Sequence, residues 1–209
     1  MDSLKEKDNI QLHDFIDSKF KALESHLEEI KLQNEELRRG LIFNNLLSHK
    51  DWIKDKDIIP AKGFANYSLL YILLVILDKI QPENILEFGF GQTTKLTTQY
   101  EKFFKKTDSS NTSNGQNIVN KKYDLIIIGS SSGSDKIQTI NILDLIPQNL
   151  AGDFIIILDD VQSELEQNTA QLIFEKLDEN NIKYSKFCCG KEKSQLVITS
   201  DKYKFLTLC

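Results

Sequence analysis

Hydrophobic residues in the first fifth of the chain recur at heptad spacing. Ile16, Leu23, Ile30 and Leu37 fall seven apart, and Phe20, Leu27, Asn34 and Leu41 each follow one of them by four. That pattern fits the d and a positions of a coiled coil and predicts one long helix over residues 10–42. Asn34 then stands at an a position, where a polar residue fixes register and oligomer state. Lys19 at g and Glu24 at the next e would pair across a parallel dimer. A homo-oligomer through this helix is the expectation, most simply a dimer. The competing reading is an amphipathic helix packed on its own domain. Gly40 is expected to weaken the last turn.

Beyond the helix the pattern changes twice. Residues 43–62 mix Trp52 with Lys50, Asp51, Lys54, Asp55, Lys56 and Asp57, show no period, and contain Pro60; they are expected to form a connector. Residues 64–80 are apolar nearly all round, which predicts a buried core helix rather than a membrane span. Short apolar runs follow near residues 84–88, 123–128 and 153–158, the signature of strands covered on both faces. Helices are expected at about 93–104, 137–146 and 164–180, and a closing hairpin at 182–188 and 195–200. The polar stretch 105–121 reads as a loop. Strands alternating with helices predict an α/β layer fold with a mostly parallel sheet. The division expected is residues 1–42 for the helix, 43–62 for the connector and 63–209 for the α/β domain.

The stretch Asn84-Ile85-Leu86-Glu87-Phe88-Gly89-Phe90-Gly91-Gln92-Thr93-Thr94 carries the chemistry. It reads as a buried strand, an acidic residue, a glycine turn and the start of a helix. Glycines let a ligand approach the backbone, and the free N–H groups of a helix start attract polar or anionic groups. A dinucleotide-binding fingerprint would need a third glycine where Thr94 stands. A phosphate-binding loop would need Gly-Lys-Ser/Thr, and Lys95 is followed by Leu96. A tight strand-to-helix turn with no ligand is the bland alternative. Ligands of parallel sheets bind at the strands' carboxyl ends. The loops there hold Glu87, Gly89 and Gly91, then Gly129 and Ser130, then Asp159 and Asp160.

Composition narrows the classes. A net charge of −5 over 209 residues argues against a nucleic-acid surface. Cys188, Cys189 and Cys209 form neither a disulfide framework nor a zinc spacing, which suggests a reduced, cytoplasmic setting. The opening Met1-Asp2-Ser3-Leu4-Lys5 has no signal-peptide character. His13, His26 and His49 all lie outside the sheet region, so histidine catalysis is not expected.

Three blocks together resemble the class I S-adenosylmethionine-dependent methyltransferases. Glu87-Phe88-Gly89-Phe90-Gly91-Gln92-Thr93-Thr94, Tyr123-Asp124-Leu125-Ile126-Ile127-Ile128 and Gly152-Asp153-Phe154-Ile155-Ile156-Ile157-Leu158-Asp159-Asp160 look like that fold's first, fourth and fifth strands. The hairpin looks like its sixth and seventh. The likeness covers residues 60–209 and looks closest to bacterial proteins associated with surface-polysaccharide synthesis. It implies a Rossmann-like sheet, S-adenosylmethionine as cofactor, and O-methyl transfer to a small molecule or sugar. The implied cofactor contacts are Glu87, Gly89, Gly91, Gln92, Thr93, Gly129 and Ser130. Asp159 and Asp160 are the candidate bases, with a helix N-cap as their plainer role. Two departures matter. Gly129 stands where the family usually has Asp, and for that reason no metal is expected at the carboxylate pair. Only 31 residues separate Gly91 from Tyr123, room for one crossover, so the second and third strands are missing or reduced. Asp108 has the spacing of a ribose-binding acid but no strand before it. The first strand should then be a sheet edge. A catalytically inactive, oligomer-forming scaffold is the alternative function.

Overall fold

The computed structural model describes residues 2–60, 66–89, 91–105, 121–129, 142–190 and 193–208. Asp108, Ser130, most of the polar loop 105–121 and the first half of the expected helix 137–146 lie outside the described residues.

The first helix, α1, runs Asp2–Ser48, six residues past its expected end. The extra length exists because its last turns dock on the α/β layers. Gly40, Phe43 and Leu47 are buried, with Leu32, Glu36, Arg39 and Leu46 partly so. These positions repeat at helical spacing on one face. Gly40 marks a close helix crossing, since a Cβ there would lie 2.9 Å from the Tyr67 ring. Glu36 reaches across the same contact. It accepts from the Tyr67 backbone N–H, and from the Ser68 hydroxyl at 3.1 Å.

Of residues 43–62, expected as a connector, the stretch 43–58 contributes to the core instead. Trp52, Ile53 and Ile58 are at most 5% exposed, although Lys54, Asp55, Lys56 and Asp57 between them face solvent. The Trp52 ring packs on Tyr100 and Phe104, with centroids 5.8 and 6.2 Å away. Gln99 clamps the segment, accepting from the N–H groups of Lys54 and Asp55 and donating to the Asp55 carbonyl at 3.0 Å. Lys50 and Asp78 form a largely buried ion pair at 2.8 Å.

Helix α2 (Tyr67–Lys79) starts at Asn66, whose side chain accepts from Leu69 N–H at 2.9 Å. It is apolar all round because it lies between α1 and the sheet. Among the described residues five strands follow: β1 (Ile85–Phe88), β2 (Tyr123–Ile128), β3 (Leu150–Leu158), β4 (Ser185–Cys189) and β5 (Gln195–Thr199). Helix α3 (Gln92–Phe104) joins β1 towards β2, and α4 (Glu164–Glu179) follows β3. The sheet order is β1-β2-β3-β5-β4. The β1–β2 and β2–β3 ladders are parallel, while β3–β5 and β4–β5 are antiparallel. The sheet is therefore mixed, not mostly parallel as expected. The closing hairpin supplies half of the ladders and inserts β5 beside β3. Among the described residues β1 is an edge, with no second or third strand beyond it.

Strand alternation sorts the core into two layers. Leu125, Ile127, Ile155, Ile157 and Val197 face α1, α2 and α3. Leu86, Ile126, Ile128, Ile156, Leu158, Leu196 and Ile198 face α4. No described helix is long and apolar enough to cross a membrane.

Candidate functional site

The same alternation places the candidate residues. Glu87, Gly129, Asp159 and Gln195 are all on the α2/α3 face at the carboxyl end of the parallel strands, or beside it. Glu87 ends β1. Its Oε1 accepts from the Thr93 hydroxyl at 2.6 Å and the Thr94 hydroxyl at 2.9 Å, and its Oε2 from Thr97 at 2.9 Å. Thr94 in turn accepts from Gly91 N–H at 3.2 Å. The acidic residue therefore ties the strand end, the glycine turn and the first turns of α3 into one unit. Burial raises its carboxyl above the ordinary range, opposed by the three hydroxyls.

Gly89 has φ +108, a conformation open mainly to glycine. Gly129 donates its N–H to the Phe88 carbonyl at 2.8 Å, and a Cβ on Gly129 would meet that oxygen at 3.2 Å. The ends of β1 and β2 close on one another here, which leaves little room for a side chain at position 129. Gly129→Asp is expected to destabilise the chain by about 1–3 kcal/mol through overpacking, measured by urea unfolding. Gly91 differs: its backbone is extended, and an added Cβ meets nothing within 4 Å. Gln92 and Thr93 open α3, where backbone N–H groups lack helical partners.

Asp159 is 2% exposed and accepts from Gln195 Nε2 at 2.9 Å. Burial raises its carboxyl, with the Gln195 hydrogen bond opposing. Asp160 adopts φ +57, is part-exposed, and lies 3.7 Å from Lys193 Nζ. Neither caps α4: Ser163 does, accepting from Glu166 N–H at 3.2 Å. Of the pair, Asp160 is the one a substrate can reach. Cys189 lies near Asp159, its thiol pushed up to about 12 by burial, so it is no thiolate nucleophile.

A cavity of about 770 Å³ opens at Gly91 and Thr94 and runs along α3 between Trp52 and Phe103. Lys54, Lys95 and Lys102 line it. Of the described cofactor candidates it touches Gly91 alone, so it continues the glycine turn outward instead of lying over Gly129 and Asp159. Among the described residues no three His, Cys, Asp or Glu side chains gather as a metal site.

The sequence reading missed Thr97, Gln195 and Lys193. Thr97 follows Thr93 by four, so one helical face after an acidic strand end was a readable signal. Gln195 follows from strand alternation only once the β3–β5 register is known.

The two buried carboxyls set a pH dependence. Both are raised in the folded chain, so the folded state holds protons that the unfolded state releases. Their contribution to stability is full below the ordinary carboxylate pKa and is lost as pH rises through the folded values. Glu87→Gln keeps one acceptor oxygen, enough for Thr93 and Thr94, puts an amide that cannot accept opposite Thr97, and removes the titration. The variant should gain stability relative to the parent between pH 4 and pH 8, read by urea unfolding at each pH. A constant difference would show that Glu87 is not desolvated.

Comparison with protein-family models, curated proteins and solved structures finds no match for this chain.

Proposed function

We propose that the α/β domain is a class I S-adenosylmethionine-dependent methyltransferase-like unit, ancestrally for O-methyl transfer to a small molecule or sugar. The single observation that carries this is the turn at the end of β1. A buried acid orients a glycine turn, Gly89 takes a left-handed backbone, and Gly91 leaves open space at the start of α3. The strand order supports it: the neighbours β1, β2 and β3, with the hairpin beside β3, match the likeness to first, fourth, fifth and closing strands. The open space at Gly91 fits close approach of the cofactor's methionine part. When bound, the cofactor supplies an electrophilic methyl group. The chain supplies the close approach of Gly89 and Gly91, the backbone N–H groups of Gln92 and Thr93, and Asp160 as the reachable base.

A second reading, an inactive scaffold, is favoured by one feature. Glu87 accepts from three hydroxyls and Asp159 from Gln195, all inside the chain, and no described residue replaces the ribose-binding acid. Losing one charge-assisted hydrogen bond costs about 1.5–3 kcal/mol, roughly ten- to a hundredfold in affinity. Binding of S-adenosylmethionine is therefore expected to be weak by calorimetry. Low-micromolar binding would instead indicate an intact enzyme site, and no binding at millimolar cofactor would favour the scaffold. Gly91→Val should abolish binding with the thermal transition little changed, because its Cβ enters ligand space and meets nothing within 4 Å.

A further inference from the structure

The stripe that docks α1 on its own domain and the heptad stripe are different faces of the same helix. Leu32, Glu36, Arg39, Gly40, Phe43 and Leu47 turn inward. Ile16, Phe20, Leu23, Leu27, Ile30, Leu37 and Leu41 remain 43–74% exposed. At 100° per residue the two sets centre on nearly opposite sides of the helix. In heptad terms the domain sits mainly on f and c, the back of a coil, and leaves a and d free from Ile16 to Leu41. Residues 13–31 touch nothing that buries them. A continuous apolar seam of this length in water calls for a partner.

We infer that the partner is a second copy of this chain, packed along the a/d seam as a parallel two-stranded coiled coil. The sequence of the seam decides the occupant. Its 3.5-residue repeat demands an equally regular helix opposite, and the chain itself carries one. Parallel pairing sets Asn34 against Asn34 of the partner subunit and Lys19 against Glu24 of the partner subunit, twice by symmetry. Antiparallel pairing of the full seam would gain two more ion pairs, because the e row is acidic at Asp17 and Glu24 and basic at Lys31 and Arg38. It would also set each Asn34 amide against the partner's Leu23. Exposed ion pairs are individually weak, whereas an amide buried without a partner is costly. The asparagine therefore outweighs the extra charges. With each domain on the outer side of its own helix, two copies associate without covering either glycine turn.

The test is sedimentation equilibrium of the full chain at low to high micromolar concentration. A dimer is expected, and a monomer throughout would overturn the inference. Leu23→Lys with Leu27→Lys should give a monomer that unfolds as before by Trp52 fluorescence, because both side chains are exposed within one copy. A persistent dimer would overturn the seam. Lys19→Glu should weaken the dimer by about tenfold, and adding Glu24→Lys should restore it. An antiparallel coil predicts the opposite: no effect of the first change, and weakening by the second against Lys31. Asn34→Leu should tighten association and admit larger oligomers.

Discussion

Gly190→Ala is expected to destabilise the fold by about 2–5 kcal/mol, although it adds one methyl group in a surface hairpin. Gly190 has φ +81, a conformation costing an L-residue about 1–2 kcal/mol. Space is the larger obstacle. A Cβ there would lie 2.6 Å from the Lys193 carbonyl oxygen, 2.8 Å from Gln195 Oε1 and 3.3 Å from Ser68 Cβ. The first of these is backbone and cannot swing aside. That carbonyl also accepts from Asn66 Nδ2 at 3.1 Å and Gln195 Nε2 at 2.7 Å. Displacing it therefore loosens both the residue that caps α2 and the residue that holds Asp159. Overpacking of this kind costs about 1–3 kcal/mol on top of the backbone strain. Urea unfolding followed by Trp52 fluorescence measures the effect, with Gly91→Ala as control, because its Cβ meets nothing within 4 Å. Equal stability of the two variants would show that the turn yields freely.

The contrast between these two glycines shows where sequence reading stops. Gly91 could be singled out from its neighbours, since an acid, a glycine and a threonine-rich helix start form a local signal. Gly190 could not. Its constraint comes from Ser68 on α2, 122 residues earlier, and from a carbonyl three residues on. The same distinction runs through the fold. Strands near residues 84–88, 123–128 and 153–158 were legible because a strand covered on both faces is largely apolar, although β3 begins at Leu150, three residues before its expected start. Segment 43–58 was not, because Trp52, Ile53 and Ile58 enter the core one at a time from an irregular backbone, between exposed charges. Periodicity has nothing to detect there. Direction was also beyond reach: the apolar run Gln195–Thr199 has the same pattern whether β5 runs with β3 or against it. At the candidate site the residue types at the strand ends were legible, but their occupation was not. Thr97 and Gln195 take up the carboxyl groups that the sequence alone leaves free for a ligand.

Leu73→Ala should remove about 2–5 kcal/mol, the range for a buried leucine whose site cannot collapse. The argument lies in the layer order. Leu73 is 0% exposed, as are Leu70, Ile76 and Leu77 on the same helix, so α2 has no wet face along its middle. It is clasped by α1 on one side and by Leu125, Ile127, Ile155 and Ile157 of the sheet on the other. A helix at the surface can shift by a few tenths of an ångström to fill a void. This one is pinned at its start by Glu36 and Asn66, and near its end by the Lys50–Asp78 pair. Fixed at both ends, it leaves the cavity open, and the cost falls at the upper end of the range. A substitution on the outer face of α4, Leu172→Ala, gives the comparison, since Leu172 is 39% exposed and should cost less than about 1 kcal/mol. Measuring both by urea unfolding at one pH isolates the clasp. If Leu73→Ala cost no more than Leu172→Ala, α2 would be free to relax, and the pinning by Glu36 and Asp78 would not be what holds it.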